Sequence, residues 1–342
     1  MAPLATPTPT TTPTLAPTPS PTAAPVKAWT TRAVTVLAQA LPSAQVEVHL
    51  GPSFPVTLTN RQAVVGAALM WEAIWETSAR AAIGWIPDEA ITLVKPSGRP
   101  AAGVDALDQD LEKYLESFGT RVGLDVLDLT RGVSYTYNAD EYFYMASSMK
   151  VPIMLTLMSQ IEAGGKLPSA LQKSQLREMI EFSNNAVAQT LYNQIGADKG
   201  VKAFLKKIAF SGLQPQLAKY GWGVSSIQPR AMVDLLDRLY EGKILNKYDR
   251  DLALYYMEHI VAHQRVGVGD SSPAGAMVAM KDGWTNVHGP AGPSIMNTSG
   301  IVTVGGETYI ISVYTDRDRD WGEGFKIVRH VCSIVGRRLT AS

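Results

Sequence analysis

One cysteine, Cys332, in 342 residues leaves no partner for an intramolecular disulfide and no Cys-x-x-Cys zinc site. No apolar run reaches the 18 or so residues of a membrane-crossing helix. Charge of one sign is not in excess, because Lys plus Arg and Asp plus Glu each number 31 and the net charge is zero. Neither nucleic acid nor an anionic membrane surface would hold such a chain electrostatically. His259, His263 and His288 follow no metal-ligand spacing and read as surface or structural histidines, so neither metal nor cofactor is expected. Met154 and Met158, at helical spacing, read as core. The 46% of hydrophobic residues can fill a sizeable core, and the length suggests about two domains. The chemistry must then come from Ser, Lys, Asn, Asp, Glu or His.

Residues 1–25 hold eight Pro and eight Thr and no charge. Such a stretch cannot pack a core, and residues 1–26 read as a polyproline-II-like tether reaching roughly 80 Å. The start lacks the basic and apolar stretches of a signal peptide. Thr/Pro tethers separate folded modules from a wall or membrane, so an extracellular or cell-surface protein is expected, with a disordered intracellular N-terminus as the alternative. Residues 27–96 then show short strands at Val34–Val36, Val46–Val48, Gly84–Ile86 and Ile91–Val94, punctuated by Gly51-Pro52-Ser53 and Pro55. Ala63–Ala82 is Ala-rich and helical by propensity alone. Even so, Val48-His49-Leu50-Gly51-Pro52-Ser53, then Trp71 and Trp75, then Gly84-Trp85-Ile86, resemble the bacterial SH3 repeat. That resemblance implies a small β-barrel of the kind attached to cell-wall enzymes, either a binder of peptidoglycan or a spacer.

The Pro/Gly-rich stretch KPSGRPAAG (95–103) marks a boundary, and residues 97–104 read as a linker before a second domain at 105–342. Leu107, Leu111, Leu115 and Phe118 recur at helical spacing, and Gly119 ends that helix. Val122, Leu124 and Val126 alternate as a half-buried strand, and a second strand runs Val133–Tyr137. Helical patterns dominate from Ser147 to about Met257. Strands return at Met277–Met280, Gly300–Val304 and Tyr309–Thr315, before a helix at about Trp321–Leu339. Strands at both ends with helices between predict an α+β fold, one antiparallel sheet completed by both ends of the domain, with helices on its face and a helical lobe beside it.

Ser147-Ser148-Met149-Lys150 is a Ser-x-x-Lys. If a helix begins near Ser147, residues three apart share a face and Lys150 reaches the Ser147 hydroxyl. The helix start also offers free N–H groups to developing negative charge. A serine hydroxyl is a weak nucleophile at pH 7 and needs such a base. With 23 Ser and 15 Lys, about one such motif is expected by chance and one is present, so the motif alone carries little. Its context carries more: a Ser/Lys pair between Tyr142–Ala146 and Val151–Leu155 is costly unless paired or functional. Ser183-Asn184-Asn185 follows, at what also reads as a helix N-cap. Lys281-Asp282-Gly283-Trp284 ends a strand, with Lys219-Tyr220-Gly221 as a decoy of the same form.

The order of these three elements and their surroundings resemble the penicillin-recognising serine hydrolases, closest to class A β-lactamases, over residues 105–342. The resemblance implies Ser147 as acylated nucleophile and Lys150 as its base. Ser183 would relay a proton to the leaving nitrogen, Asn185 would hold the substrate amide, and Lys281 would supply positive charge beside Ser183 and the substrate carboxylate. Asp282, Gly283 and Trp284 would line the substrate, with the Ser147 and Trp284 backbone N–H groups as oxyanion hole. Two ammonium groups together should depress at least one lysine pKa. The implied ligand is a β-lactam or a wall-derived amide. The alternatives are a D,D-peptidase and a weakly catalytic peptidoglycan-binding protein.

Three departures qualify the resemblance. Only 36 residues separate Ser147 from Ser183, which implies a reduced helical lobe. Class A enzymes carry a water-activating glutamate on a loop after the Ser-x-Asn helix, yet Lys199–Met232 contains no Asp or Glu. Ser211–Gln228 offers Gln214, Gln216, Lys219 and Tyr220 instead, and slow deacylation is expected. Finally, Asp282 stands where a Thr or Ser hydroxyl usually helps bind the carboxylate, and it would repel that carboxylate unless it points away or Arg265 or Lys281 neutralises it.

Overall fold

A computed structural model describes residues 25–30, 34–50, 55–66, 68–76, 81–93, 101–217, 221–287, 289 and 292–340. Residues 1–24 of the tether, the Gly51–Ser53 turn, residues 97–100 of the linker, Lys219, Tyr220 and His288 lie outside the described residues.

The N-terminal part is built of strands β1 (Val26–Thr30), β2 (Val34–Leu37), β3 (Val46–Leu50), β4 (Pro55–Val65), β5 (Ala68–Glu76), β6 (Ala81–Pro87) and β7 (Ile91–Thr92). They run in the order β3-β2-β6-β5-β4-β1-β7. The described residues of the Ala-rich segment are the end of β4, β5 and the start of β6, with Val64 opposite Leu69 and Val65 opposite Ala68, so strand pairing overrides its helical propensity. Gly84 has a packing reason: a Cβ there would lie 2.6 Å from the Val36 side chain, so β6 lies against β2 only with glycine at that point. Trp75 is fully buried, whereas Trp71 donates its indole N–H to Asp88 at 2.6 Å.

Ala101–Gly103, expected as linker, form strand β8, antiparallel to β3 through Leu50 and Ala102. Ala101 and Ala102 are buried there, and small side chains suit that close approach. Helix α1 (Gln109–Glu116) follows, capped by the Asp108 carboxylate, which accepts from the Leu111 N–H at 2.8 Å. Strands β9 (Val122–Asp128) and β10 (Val133–Tyr137) come next, β10 lying antiparallel to β9 and parallel to β8. The helical region after β11 (Phe143–Tyr144) holds α2 (Lys150–Ala163), α3 (Ala170–Ile180), α4 (Asn185–Gln194) and α5 (Ala197–Lys207). The short strands β12 (Leu213–Gln214) and β13 (Ser226–Ile227) join β11 in a small second sheet, and α6 (Pro229–Tyr240), α7 (Lys247–Glu258) and α8 (Val268–Ser271) complete the helices of this region. The chain ends in β14 (Met277–Asn286), β15 (Ser294–Val304), β16 (Glu307–Thr315) and α9 (Trp321–Thr340).

The α+β expectation of a sheet closed by both ends of the domain is realised as β14-β15-β16-β9-β10, antiparallel throughout. Both faces are covered rather than one. Tyr309 on β16 lies close to Gly336 of α9, and Tyr314 on the opposite face meets Ser148 and Phe143. Every residue of β9 is therefore buried where alternation predicted half-burial. α2 is buried along its first ten residues, Lys150–Ser159, as befits a helix at the centre of a lobe.

Candidate active site

The turn that carries Ser147 is held from two directions. The Met145 N–H donates to Ser225 O at 2.9 Å, which pins the chain to the β11–β13 sheet. Asn297 on β15 donates its amide N–H groups to Tyr144 O at 3.2 Å and Met145 O at 2.9 Å. Ala146 then takes φ of +45°, a left-handed conformation that costs a non-glycine residue about 1–3 kcal/mol. A 3-10 turn over Ala146–Met149 runs directly into α2. It separates the two adjacent serines: Ser147 is partly exposed, while Ser148 is fully buried, donating to Met145 O at 2.7 Å with Tyr314 Oη 3.1 Å away.

Strand β14 lies against this turn, and Gly283 is the reason it can. A Cβ on Gly283 would sit 2.6 Å from the Ser147 amide nitrogen and 2.9 Å from Met145 O and Ser148 N. The pleat places Lys281 and Gly283 toward the turn and Asp282 and Trp284 toward the other face, where the Trp284 ring stands edge-on to Phe325 of α9 at 5.4 Å. Lys281 is thus mid-strand, not at a strand end, because β14 continues to Asn286.

Lys150 gathers the polar groups. Its ammonium nitrogen lies 2.9 Å from Ser147 Oγ, 2.8 Å from Ser183 Oγ, 2.7 Å from Ser183 O and 2.7 Å from Asn185 Oδ1. The Ser183-Asn184-Asn185 segment divides its labour to permit this. Asn184 is the N-cap of α4, its Oδ1 accepting from the N–H groups of Ala186 at 3.0 Å and Val187 at 3.1 Å. Ser183, at φ of +54°, turns both its carbonyl and its hydroxyl to Lys150. Burial and the Lys281 ammonium push Lys150 down to about 7, with the Asp282 carboxylate pulling the other way. The neutral amine keeps two N–H donors, which suit the acceptor-only Ser183 O and Asn185 Oδ1, and one lone pair. That lone pair is free to take a proton from the Ser147 or Ser183 hydroxyl.

Lys281 and Asp282 form a buried pair. The Lys281 ammonium donates to Asp282 O and Asp282 Oδ1, each at 3.1 Å, rather than to Ser183. Asp282 Oδ2 accepts from the Val266 N–H at 3.1 Å. Burial pushes the lysine down and the carboxyl up, and each charge holds its partner in place. Asp282, read from the sequence as substrate-lining, is fully buried with both carboxylate oxygens engaged, so its side chain is not presented to a ligand. Arg265, the other candidate for neutralising it, donates to Glu258 O at 3.1 Å.

The loop at 211–228 brings no carboxylate. Gln214 is exposed in β12, and the Gln216 backbone is tied by its N–H to Ser225 Oγ at 3.1 Å. Among the described residues of this loop, Trp222 faces the site, its ring centre 5.1 Å from the Lys150 nitrogen. Glu181 is also occupied elsewhere, accepting from Arg177 at 3.0 Å. Sequence reasoning missed Trp222 and Asn297. The signals were present, an aromatic between two glycines in Gly221-Trp222-Gly223 and a polar residue inside the buried strand β15. Among the described residues, no group of three His, Cys, Asp or Glu is placed to hold a metal ion.

Comparison with known proteins adds a family. A sequence profile of the Beta-lactamase enzyme family matches residues 106–175 and 166–339. A β-lactamase of Rhodobacter capsulatus is 25% identical over 187 residues, 46% of this chain and 64% of the relative. The carbapenem-hydrolyzing β-lactamase KPC of Klebsiella oxytoca is 24% identical over 236 residues, 59% of this chain and 78% of that protein. The match to the first curated relatives spans just over six-tenths of their length, 61–64%. Among solved structures, the TLA-3 extended-spectrum β-lactamase aligns with a TM-score of 0.61 at 21% identity, covering 69% of this chain and 99% of the other. A point mutant of PBP-A, solved as an acyl-enzyme complex with penicillin G, aligns with a TM-score of 0.61 at 18% identity, covering 70% and 98%. At these identities the structural likeness concerns the fold.

Proposed function

The chain belongs to the Beta-lactamase enzyme family, and from that membership we propose that it is a serine hydrolase that forms an acyl-enzyme on Ser147 with β-lactams or related cell-wall amides. The observation that carries the reading is the convergence of Ser147 Oγ, Ser183 Oγ and Asn185 Oδ1 on Lys150 within 2.9 Å. Neutral Lys150 takes the Ser147 proton as Oγ attacks the carbonyl carbon. The Ser147 N–H and an outer-edge N–H of β14, that of Trp284, stabilise the developing oxyanion. The carbon–nitrogen bond then breaks as the Ser183 hydroxyl protonates the leaving nitrogen, and the proton held by Lys150 returns to Ser183 Oγ. Asn185 holds the substrate amide. Deacylation requires a water and a base on the 211–228 side, where Trp222 stands, so the acyl-enzyme is long-lived.

That last feature supports a second reading, a D,D-peptidase or a weakly turning-over wall-binding protein. In it the N-terminal β-module, with its SH3-like Trp and Gly-Trp-Ile residues, holds peptidoglycan at the cell surface. Incubation with a fluorescent penicillin followed by intact-mass analysis tests the first reading, which falls if Ser147 stays unmodified under saturating ligand. Pull-down of the full chain on purified peptidoglycan, against a chain lacking residues 27–96, tests the second.

A further inference from the structure

Lys150 and Lys281 both project toward the nucleophile turn, and they carry different net charge once their neighbours are counted. Lys150 has only neutral acceptors within hydrogen-bonding distance. Lys281 has its own carboxylate, Asp282, which reaches it from the far face of an edge strand at 3.1 Å. Whether the shared proton sits on the amine or on the carboxyl, the pair sums to zero. We propose that this pairing makes the site selective for uncharged acyl donors, esters or amides without a carboxylate beside the scissile bond. The inference rests on the acyl-enzyme reading above and names its substrate class.

The argument is one of desolvation. A ligand carboxylate brought over Ser147 loses water, at a cost of several kcal/mol unless a fixed cation replaces it. The charged groups packed around β14 do not supply one. Lys281 is fully buried and bound to Asp282. Arg265 donates to the neutral Glu258 O and lies with Gly269 beside Met280, on the Asp282 face of β14 rather than the face that meets Ser147, and Asp270 pairs with Arg329 of α9 at 2.7 Å. Lys150 must be neutral to act as base, so it offers little attraction at the moment of attack. An uncharged donor has no such cost and meets the same Ser147, Lys150 and backbone donors. Asp282 therefore acts through Lys281 as a residue that sets selectivity, not as a group touching substrate.

A matched pair of probes isolates this effect: benzylpenicillin and its methyl ester, which differ in the carboxylate alone. Adduct formation on the full-length protein is followed by intact mass for the native chain, Asp282→Asn and Asp282→Thr. Asparagine keeps the size of the side chain and an acceptor for the Val266 N–H; threonine is the second variant should asparagine fail to fold. The native protein is expected to react faster with the ester. Either variant removes the anion of the pair: where the native proton sits on the amine, Lys281 is left charged and the acid-to-ester rate ratio rises on the order of tenfold, and where it sits on the carboxyl the native ratio is kept. Damage to packing, or a shifted Lys150, slows both probes alike and leaves the ratio unmoved. A native protein that prefers the free acid, or an acid-to-ester ratio that falls in the folded variants, overturns the inference while the acyl-enzyme stands. If neither probe leaves an adduct on Ser147, the acyl-enzyme reading itself fails and this inference goes with it.

Discussion

On one side of Ser147, four oxygen atoms converge on the Lys150 nitrogen within 2.9 Å, held by a capped helix and by two residues in left-handed conformations. On the other side, the loop between Ser211 and Gln228 brings the Trp222 ring to 5.1 Å from the same nitrogen and contributes no carboxylate. The first side sets one amine within hydrogen-bonding distance of two serine hydroxyls, and backbone strain is tolerated to keep it so. The second brings an aromatic ring and no carboxylate. The difference teaches that, under the proposed function, attack on a substrate and release of the product are separable in this fold, each with its own construction.

The comparison is broken most directly by removing the shared atom. Lys150→Met should lower the acylation rate by about 10²–10⁴-fold, the worth of general-base assistance, with the fold retained because α2 is apolar around it. Intact-mass time courses on a variant with an unshifted melting temperature measure it. A retained rate would move the base role to Lys281 or to a water.

The two sides differ next in what they should do to time. Once free penicillin is removed, the adduct should persist, because the amides of Gln214 and Gln216 cannot accept a proton at pH 7. Nitrocefin turnover at tens per second or faster would contradict this. Trp222→Glu sharpens the contrast by putting a carboxylate on the deficient side, and should speed loss of the adduct on the order of 10²-fold. An adduct that survives equally long in that variant would mean that water access, not the base, limits release.

Burial and Lys281 push Lys150 down to about 7, and in the proposed mechanism its neutral form is the base. Below that value the protonated fraction grows, so acylation should fall about tenfold per pH unit toward acid and level off above about 7. The sign follows from the depressed amine: protonation, favoured as pH drops, removes the lone pair. A flat profile between pH 5 and 8 would show that the proton leaves Ser147 by another path.

Much of the acylation side was legible in sequence, for a physical reason. Spacing of three on a helix sets a shared face, so Ser147 and Lys150 could be paired from their positions in the chain alone, and a Ser/Asn run before a helix marks a cap. Which residue of that run is the cap depends on backbone geometry, and Asn184 takes the role, which leaves Ser183 and Asn185 free to face Lys150. The position of Trp222 depends on the path of an irregular loop, which no periodicity encodes. The contact of Gly283 with the Ser147 amide depends on β14 lying against a turn more than 130 residues earlier in the chain. Alternation in β9 predicted one buried face, but it cannot tell whether a second layer covers the other, as α6 does opposite α9. The helical propensity of Ala63–Ala82 lost to strand pairing, the usual result when a local preference of a few tenths of a kcal/mol per residue meets tertiary contacts.

Gly283 tests how closely the acylation side is built. Alanine there puts a Cβ 2.6 Å from the Ser147 nitrogen, against backbone that cannot rotate away. Overpacking of this kind costs about 1–3 kcal/mol, and the displaced Ser147 N–H would also slow acylation. A drop in melting temperature together with a slower adduct rate is expected, and a variant unchanged in both would remove Gly283 from the site.

The smallest effect separates scaffold from chemistry. Asn184→Ala removes the cap of α4, which costs about 1 kcal/mol, or roughly 2–4 °C in a domain of this size. Asn184 points into its own helix and touches neither Ser147 nor Lys150, so its loss acts on the site only by loosening the segment that carries Ser183 and Asn185. Ser183 holds φ of +54°, a conformation that relaxes when the helix end frays. The variant should therefore lose stability by the cap's worth and acylate several-fold more slowly, with the pH profile in place because Lys150 keeps its burial. Threonine or aspartate at 184, each a good cap, should restore both. If stability falls as expected but the acylation rate is untouched, the left-handed Ser183 is held by Lys150 rather than by the helix, and the positioning runs opposite to the direction argued above.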